Sequence, residues 1–201
     1  EGTDVYECIK KYSAVRGFNF QPDFGAIGTG VWLNYDGARY RELIKLGRAA
    51  FPRINTLRVW LSFDAWAENR YLFLSNLADA VEALGDAGLK IIPVYFNGWV
   101  GIPCFGAVTA EPLSWVEKTG YRQYRVYMRD CIEVMRLAPV LVHDICNEPF
   151  NNACGKYETL QLIVRFLSEM GSELRAAGCV PLTVGSQGES FCRREDGTKV
   201  W

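Results

Sequence analysis

Val140-Leu141-Val142-His143-Asp144-Ile145-Cys146-Asn147-Glu148-Pro149 is the stretch on which the reading of this chain turns. Val140 to Cys146 is a short, mostly apolar run of the kind that fills a buried β-strand. Asn147 and Glu148 then turn polar, and Pro149 stops any further ladder. Glu148 therefore falls where a strand hands over to a loop. A carboxylate there is carried by the sheet while its oxygens face a cleft, and the neighbouring Asn147 amide can donate to a hydroxyl. Those are the properties of a general acid/base. On its own the tripeptide reads first as a polar strand-to-loop turn, so its weight depends on what the other strand ends carry.

Outward from this segment, strand-like and helix-like patterns alternate. Gly17-Phe18-Asn19-Phe20 reads as a first strand, Asn55 to Leu61 as a second and Leu89 to Phe96 as a third. Val140 to Cys146 is the fourth and Val180 to Gly185 the fifth. Between them apolar residues recur at helical spacing, as in Phe73, Leu77, Ala80, Val81 and Leu84, or Leu160, Ile163, Val164, Leu167, Met170 and Leu174. Gly85, Gly88 and Gly178 stand where helix C-caps belong. The segment from Trp99 to Gly120, with its Gly, Pro and aromatic residues, reads as an inserted loop.

Strict β-α alternation is the signature of a parallel sheet with helical crossovers. Polar residues recur where each strand meets its following loop, and Asn19, Arg58 and Asn97 stand at equal intervals of 39 positions. That boundary is the functional face of both a (β/α)8 barrel and an open doubly wound sheet. The open sheet should carry a phosphate-binding glycine turn. Gly25-Ala26-Ile27-Gly28-Thr29-Gly30 is glycine-rich but lacks the G-x-G-x-x-G order and a P-loop lysine. The expected fold class is therefore α/β, a TIM (β/α)8 barrel of which this chain supplies about five βα units.

With 201 residues the chain can bury one sizeable core, so a single partial-barrel domain over 1–201 is expected. A net charge of −1 gives no case for nucleic acid or an anionic membrane as partner. No run of about 18 apolar residues is present to span a bilayer. Seven cysteines cannot all pair within one chain, none forms C-x-x-C, and the single His143 leaves no zinc-like Cys/His set. No metal and no cofactor is expected. Cys131 and Cys146 read as buried free thiols, Cys104 and Cys154 as loop cysteines able to bridge. This unpatterned set favours a reducing, cytoplasmic setting over secretion. The first residue is Glu1 rather than Met, so the lack of a leader-like stretch carries no weight.

Set side by side, Arg16-Gly17-Phe18-Asn19, Arg58, Asn97 and Asn147-Glu148-Pro149 resemble the (β/α)8-barrel glycoside hydrolases of clan A, most closely glycoside hydrolase family 5. The resemblance runs from about Arg16 to Gln187. It implies a retaining hydrolase of a β-linked glycan, cellulase- or mannanase-like, with an oligo- or polysaccharide as partner. Glu148 would be the acid/base and Asn147 a ligand of the sugar 2-hydroxyl. Arg58 would support the carboxylate of the nucleophile, and Asn97 would bind a sugar hydroxyl, although the family often has His near that position. Retaining enzymes need a second carboxylate about 5–5.5 Å from the first. In the family that is a Glu after the seventh strand, so the resemblance implies a nucleophile outside this chain and a second polypeptide segment completing the barrel. Glu189, between Gly188 and Ser190, reads as a loop residue and not a substitute.

Sugars pack flat C–H faces on aromatic rings, and Trp60, Trp66, Tyr95, Phe96, Trp99 and Trp115 all fall at or after strand ends. Trp99 and Trp115, in the long loop, are the candidate stacking residues, and Trp60 belongs to the barrel interior. His143 reads as a hydrogen-bonded structural residue. Asp144 receives no role and is placed toward the helices or a local partner. Val59 and Ile92 are expected on the inner face, where an incomplete barrel leaves its layers unfilled. Two other readings stand beside this one: a carbohydrate-binding or inactive partial barrel, and an open α/β sheet holding a phosphorylated ligand near Gly25–Gly30.

Overall fold

The computed structural model describes residues 10, 12–25, 28–98, 110–150 and 157–185. Its strands are β1 (Gly17–Phe20), β2 (Thr56–Trp60), β3 (Lys90–Asn97), β4 (His143–Asn147) and β5 (Leu182–Gly185). They form one parallel sheet in the order β1-β2-β3-β4-β5. The helices are α1 (Thr29–Leu33), α2 (Gly37–Ala50), α3 (Phe63–Glu68), α4 (Arg70–Asp86), α5 (Ala110–Lys118), α6 (Arg122–Met135) and α7 (Tyr157–Ala176).

Strand order equal to chain order decides between the two α/β architectures. A doubly wound sheet reverses its order at a switch point, and that is where it binds its ligand. Here each strand is laid beside the one before it, as in a barrel wall. The described chain is five βα-type strands of that wall.

Local sequence accounts for the helix ends. Asp36, Ser62 and Asn69 accept the backbone N–H of Arg39, Ala65 and Leu72 and so cap α2, α3 and α4. Gly88 and Gly178 follow α4 and α7 with positive φ, letting Leu89 N–H reach the Leu84 carbonyl and Cys179 N–H that of Leu174. Gly85 lies inside α4 instead.

Three expectations need correction. The segment from Trp99 to Gly120 is not wholly a loop, because α5 occupies Ala110–Lys118 and carries Trp115. Pro112 sits in the first turn, where no N–H partner is required, so it does not bar a helix. β4 begins at His143 rather than Val140. Ile91 N–H bonds the Pro139 carbonyl, so alternate positions of β3 face β4. Pro93 is the next such position and has no N–H to give, and the β3–β4 ladder resumes at Val94 opposite Asp144. Finally, Val59 lies out of phase with Arg58 and is buried in the core against the helices. Ile92, opposite Arg58 in the register, keeps the inner-face place expected of it.

The core lies between sheet and helices. Phe96, Tyr124, Tyr127 and Phe166 join β3, α6 and α7, with Phe96 ring centroids 4.9, 5.4 and 5.1 Å from the other three. Such pairs contribute about 0.5–1.5 kcal/mol each beyond their buried area. On the outside, Arg125 of α6 pairs with Glu169 and Glu173 of α7, and Arg70 of α4 with Asp130 of α6. These pairs are only partly exposed, and surface pairs contribute about 0–1 kcal/mol each; the aromatic layer sets the position of the helices.

Candidate active site

The C-terminal ends of β1 to β5 bring one polar cluster together. Arg58 is its hub, half-way along β2 with its side chain 19% exposed. Its Nε and Nη2 donate to Oδ2 of Asp144 at 3.0 and 2.7 Å. Nη1 donates to Asn19 Oδ1 at 2.9 Å, and Nη2 also reaches Asn147 Oδ1 at 2.9 Å. Asn147 Nδ2 in turn donates to Asn97 Oδ1 at 3.0 Å. The second Asp144 oxygen accepts the Gly185 N–H at 3.2 Å. Five neighbouring strands are thus stitched by side chains on one face.

Asp144 and Asn147 are three apart, and on a regular strand they would face opposite ways. An irregularity against β5 lies between them, and Ile145 and Cys146 both enter the helix-side core. β3 follows suit in register, with Tyr95 and Phe96 in the core and Asn97 beside Asn147. This is how a strand re-aims side chains next to a site.

Burial pushes the Asp144 carboxyl above the ordinary carboxylate value, while the Arg58 charge and hydrogen bonds and the Gly185 N–H pull against it. At 3% side-chain exposure the carboxylate depends on Arg58 for compensation. Arg58 also lies over the Trp60 ring, 5.8 Å from its centroid.

Glu148 follows Asn147 directly, with φ 48, a left-handed conformation unusual for a residue with a side chain. Its N–H is held by the Gly185 carbonyl at 3.0 Å. Gly98, just past β3, lies so close that a Cβ there would come within 2.5 Å of the Glu148 carbonyl oxygen. Backbone on both sides therefore fixes where the Glu148 side chain starts.

Of the residues singled out from sequence, Arg58, Asn97 and Asn147 are hydrogen-bonded together and Glu148 is adjacent. Trp99 lies outside the described residues, as do Glu189 and the Cys104/Cys154 pair, and Trp115 is placed only by its backbone on α5. Trp66, Tyr95 and Phe96 are core residues, Trp66 donating its indole N–H to Asp130. His143 is structural: its Nδ1 lies 2.8 Å from the Tyr95 hydroxyl, and burial lowers its pKa to about 4. Asp144 was missed. A usable signal existed, since it is the one carboxylate and Arg58 the one arginine within the five strands.

Cys131, Cys146 and Cys179 are free thiols. Among the described residues no group of three or more His, Cys, Asp or Glu side chains gathers to hold a metal ion, and no helix is long and apolar enough to cross a membrane. Two grooves, about 420 Å³ between α2 and α4 and about 660 Å³ beside β1, are lined by none of the cluster residues.

No protein-family model and no curated protein matches the sequence. Solved structures do match the fold. A β-1,4-D-mannanase from Cryptopygus antarcticus superposes with a TM-score of 0.63 at 19% identity, over 90% of this chain and 60% of the mannanase. The fold is theirs in part. An exo-β-1,4-mannosidase from an Opitutaceae bacterium gives a TM-score of 0.67 at 15% identity, over 86% of this chain and 32% of its own. GH5_18 from Streptomyces cattleya, in complex with GlcNAc, gives 0.58 at 18% identity, over 83% and 44%. The chain spans less than two thirds of each of these proteins. Structures of family 5 mannanases and mannosidases thus match the resemblance drawn from the sequence, and at these identities the likeness is one of fold.

Proposed function

We propose that this chain is the part of a retaining β-glycan hydrolase that carries the acid/base, acting on a β-mannan or related β-linked polysaccharide. The observation that carries the reading is Glu148 at the end of β4, beside an Asn147 amide held by Arg58 and Asn97. Glu148 protonates the leaving oxygen, Asn147 and Asn97 meet the sugar, and Arg58 lines the substrate site beside them and supports the carboxylate of the nucleophile, with Trp99 and Trp115 as stacking residues. The nucleophile and the remaining βα units come from a further polypeptide segment that closes the barrel over this single domain. The mannose-linked names of the fold relatives support mannan as the first substrate to try.

The test is an assay of the chain alone and of the barrel completed by its missing segment. The chain alone should bind mannotetraose without hydrolysing it. In the completed protein, Glu148→Gln should lower turnover on substrates with poor leaving groups far more than on activated aryl glycosides. Equal losses on both would remove Glu148 from the acid role, and hydrolysis by the chain unaided would show the nucleophile to be misplaced. One observation favours a second reading, a carbohydrate-binding partial barrel: Arg58 is already compensated by Asp144 and does not wait for a nucleophile. Completed protein that binds mannotetraose without cleaving it would establish that reading.

A further inference from the structure

Taking the glycan cleft proposed above as its setting, we propose that Asp144 is a positioning residue. Through Arg58 it sets which way round the Asn147 amide stands, and so turns the nitrogen of Asn147, not its oxygen, toward Asn97 and a ligand oxygen.

The chain of constraints starts from chemistry. A guanidinium has five donors and no acceptor. The Asn147 atom 2.9 Å from Arg58 Nη2 must therefore be its oxygen. That turns Asn147 Nδ2 toward Asn97 at 3.0 Å, so Asn97 must offer its own oxygen and turn its amide nitrogen away. Reversing either amide would set like against like. One arginine contact thus fixes the polarity of two side chains.

Arg58 keeps that contact only while its plane is fixed, and Asp144 is what fixes it. Two donors, Nε and Nη2, converge on Asp144 Oδ2, while Oδ1 is tied to β5 by the Gly185 N–H. The carboxylate cannot swing away. A Cβ on Gly185 would come within 3.1 Å of Arg58 Nη2 and 3.2 Å of Asn147 Cα, so the strand beside the pair leaves just enough room for this arrangement. Without a charge at position 144, Arg58 retains Asn19 and open solvent as partners, and nothing holds Nη2 on Asn147.

The experiment reads the side chains directly in the isotopically labelled chain, comparing wild type, Asp144→Asn, Asp144→Glu and Arg58→Lys by NMR. In Asp144→Asn the Arg58 Nε–H should exchange with solvent at least about tenfold faster, and the Asn147 side-chain amide pair should shift. Asp144→Glu should restore most of both. Affinity for mannotetraose should fall about tenfold in Asp144→Asn and recover in Asp144→Glu. If Asp144→Asn fails to fold, Arg58→Lys decides: it keeps a cation beside Asp144 but cannot also grip Asn147, so the Asn147 amide must move. Unchanged Arg58 protection and Asn147 signals in Asp144→Asn, or unchanged Asn147 signals in Arg58→Lys, overturn the proposal. A wild-type chain that binds no mannotetraose counts against the glycan reading, while the NMR comparison still decides the role of Asp144.

Discussion

Gly98→Ala measures how tightly the loop carrying Glu148 is built against the end of β3. A Cβ on Gly98 would lie 2.5 Å from the Glu148 carbonyl oxygen, 2.5 Å from Pro149 Cα and 3.0 Å from Pro149 C. Carbon atoms in contact prefer about 3.5–4.0 Å, so the two segments must part by roughly 1 Å. Neither side is free to yield. Gly98 N–H is held by the Asn147 carbonyl at 2.8 Å, and Glu148 N–H by the Gly185 carbonyl at 3.0 Å. Overpacking of this kind costs about 1–3 kcal/mol, and losing one of those bonds adds about 1 kcal/mol. The expected loss is about 2–4 kcal/mol, or a fall in Tm of roughly 5–15 °C for a chain of this size. Urea unfolding and a thermal melt measure it. Gly85→Ala is the control, because its Cβ meets nothing within 4 Å and it stands inside α4. It should gain about 0.5–1 kcal/mol. In a hydrolysing form, a 1 Å displacement of Glu148 should cost on the order of 10²-fold in turnover. A Gly98→Ala protein as stable as wild type, with the Glu148 backbone amide signal unmoved, would refute the close-packing argument.

Arg58→Met should cost about 3–5 kcal/mol at neutral pH, because Asp144 is left as an uncompensated buried charge. Burial raises the Asp144 pKa, and a raised carboxyl favours the fold below its unfolded value and loses that advantage as pH rises through the folded one. The deficit should therefore shrink on acidification, and urea melts giving the same deficit at pH 5 and pH 8 would exclude an ionised Asp144 as its source. His143, the only histidine, is held at about 4 against an ordinary 6.5. Its stabilising contribution is present above 6.5 and is lost as pH falls from 6.5 through 4, about 3 kcal/mol in full. The single imidazole signal can be titrated by NMR, and a midpoint near 6.5 would mean that the Tyr95 environment is open to water. Phe166→Ala removes a fully buried ring between Phe96 and Tyr124 and should cost about 3–5 kcal/mol. A loss below about 1 kcal/mol in urea would mean that α7 is not seated on the sheet.

The strands and long helices were legible because each depends on a local pattern. Apolar runs such as Ile91 to Phe96 and 3–4 spacings such as Phe73, Leu77 and Leu84 need no knowledge of partners. What failed depended on neighbours. The start of β4 is delayed by Pro93 on β3, and no property of Val140 to Val142 announces that. The equal interval from Asn19 to Arg58 to Asn97 is only half meaningful. Asn19 and Arg58 are true register partners, but Arg58 stands beside Ile92, and Asn97 belongs with Asn147 further along. Helix α5 was hidden by Pro112, which is harmless in a first turn. Asp144 received no role because it was placed toward the helices or a local partner, and the irregularity that brings it to the same face as Asn147 has no local signature.

The cluster has a consequence for how the site is assembled. Asn19, Arg58, Asn97, Asp144, Asn147 and Gly185 come from all five described strands, and each bond joins side chains or backbone of that one sheet. The charge of Arg58 is compensated inside the sheet by a carboxylate that solvent scarcely reaches. The frame behind Glu148 is therefore hydrogen-bonded within these five strands. In the hydrolase proposed above, a nucleophile placed at this arginine would share the cation with Asp144 rather than own it. Sharing weakens the stabilisation each carboxylate receives, so on that proposal the second carboxylate would stay the more basic while Asp144 holds the frame.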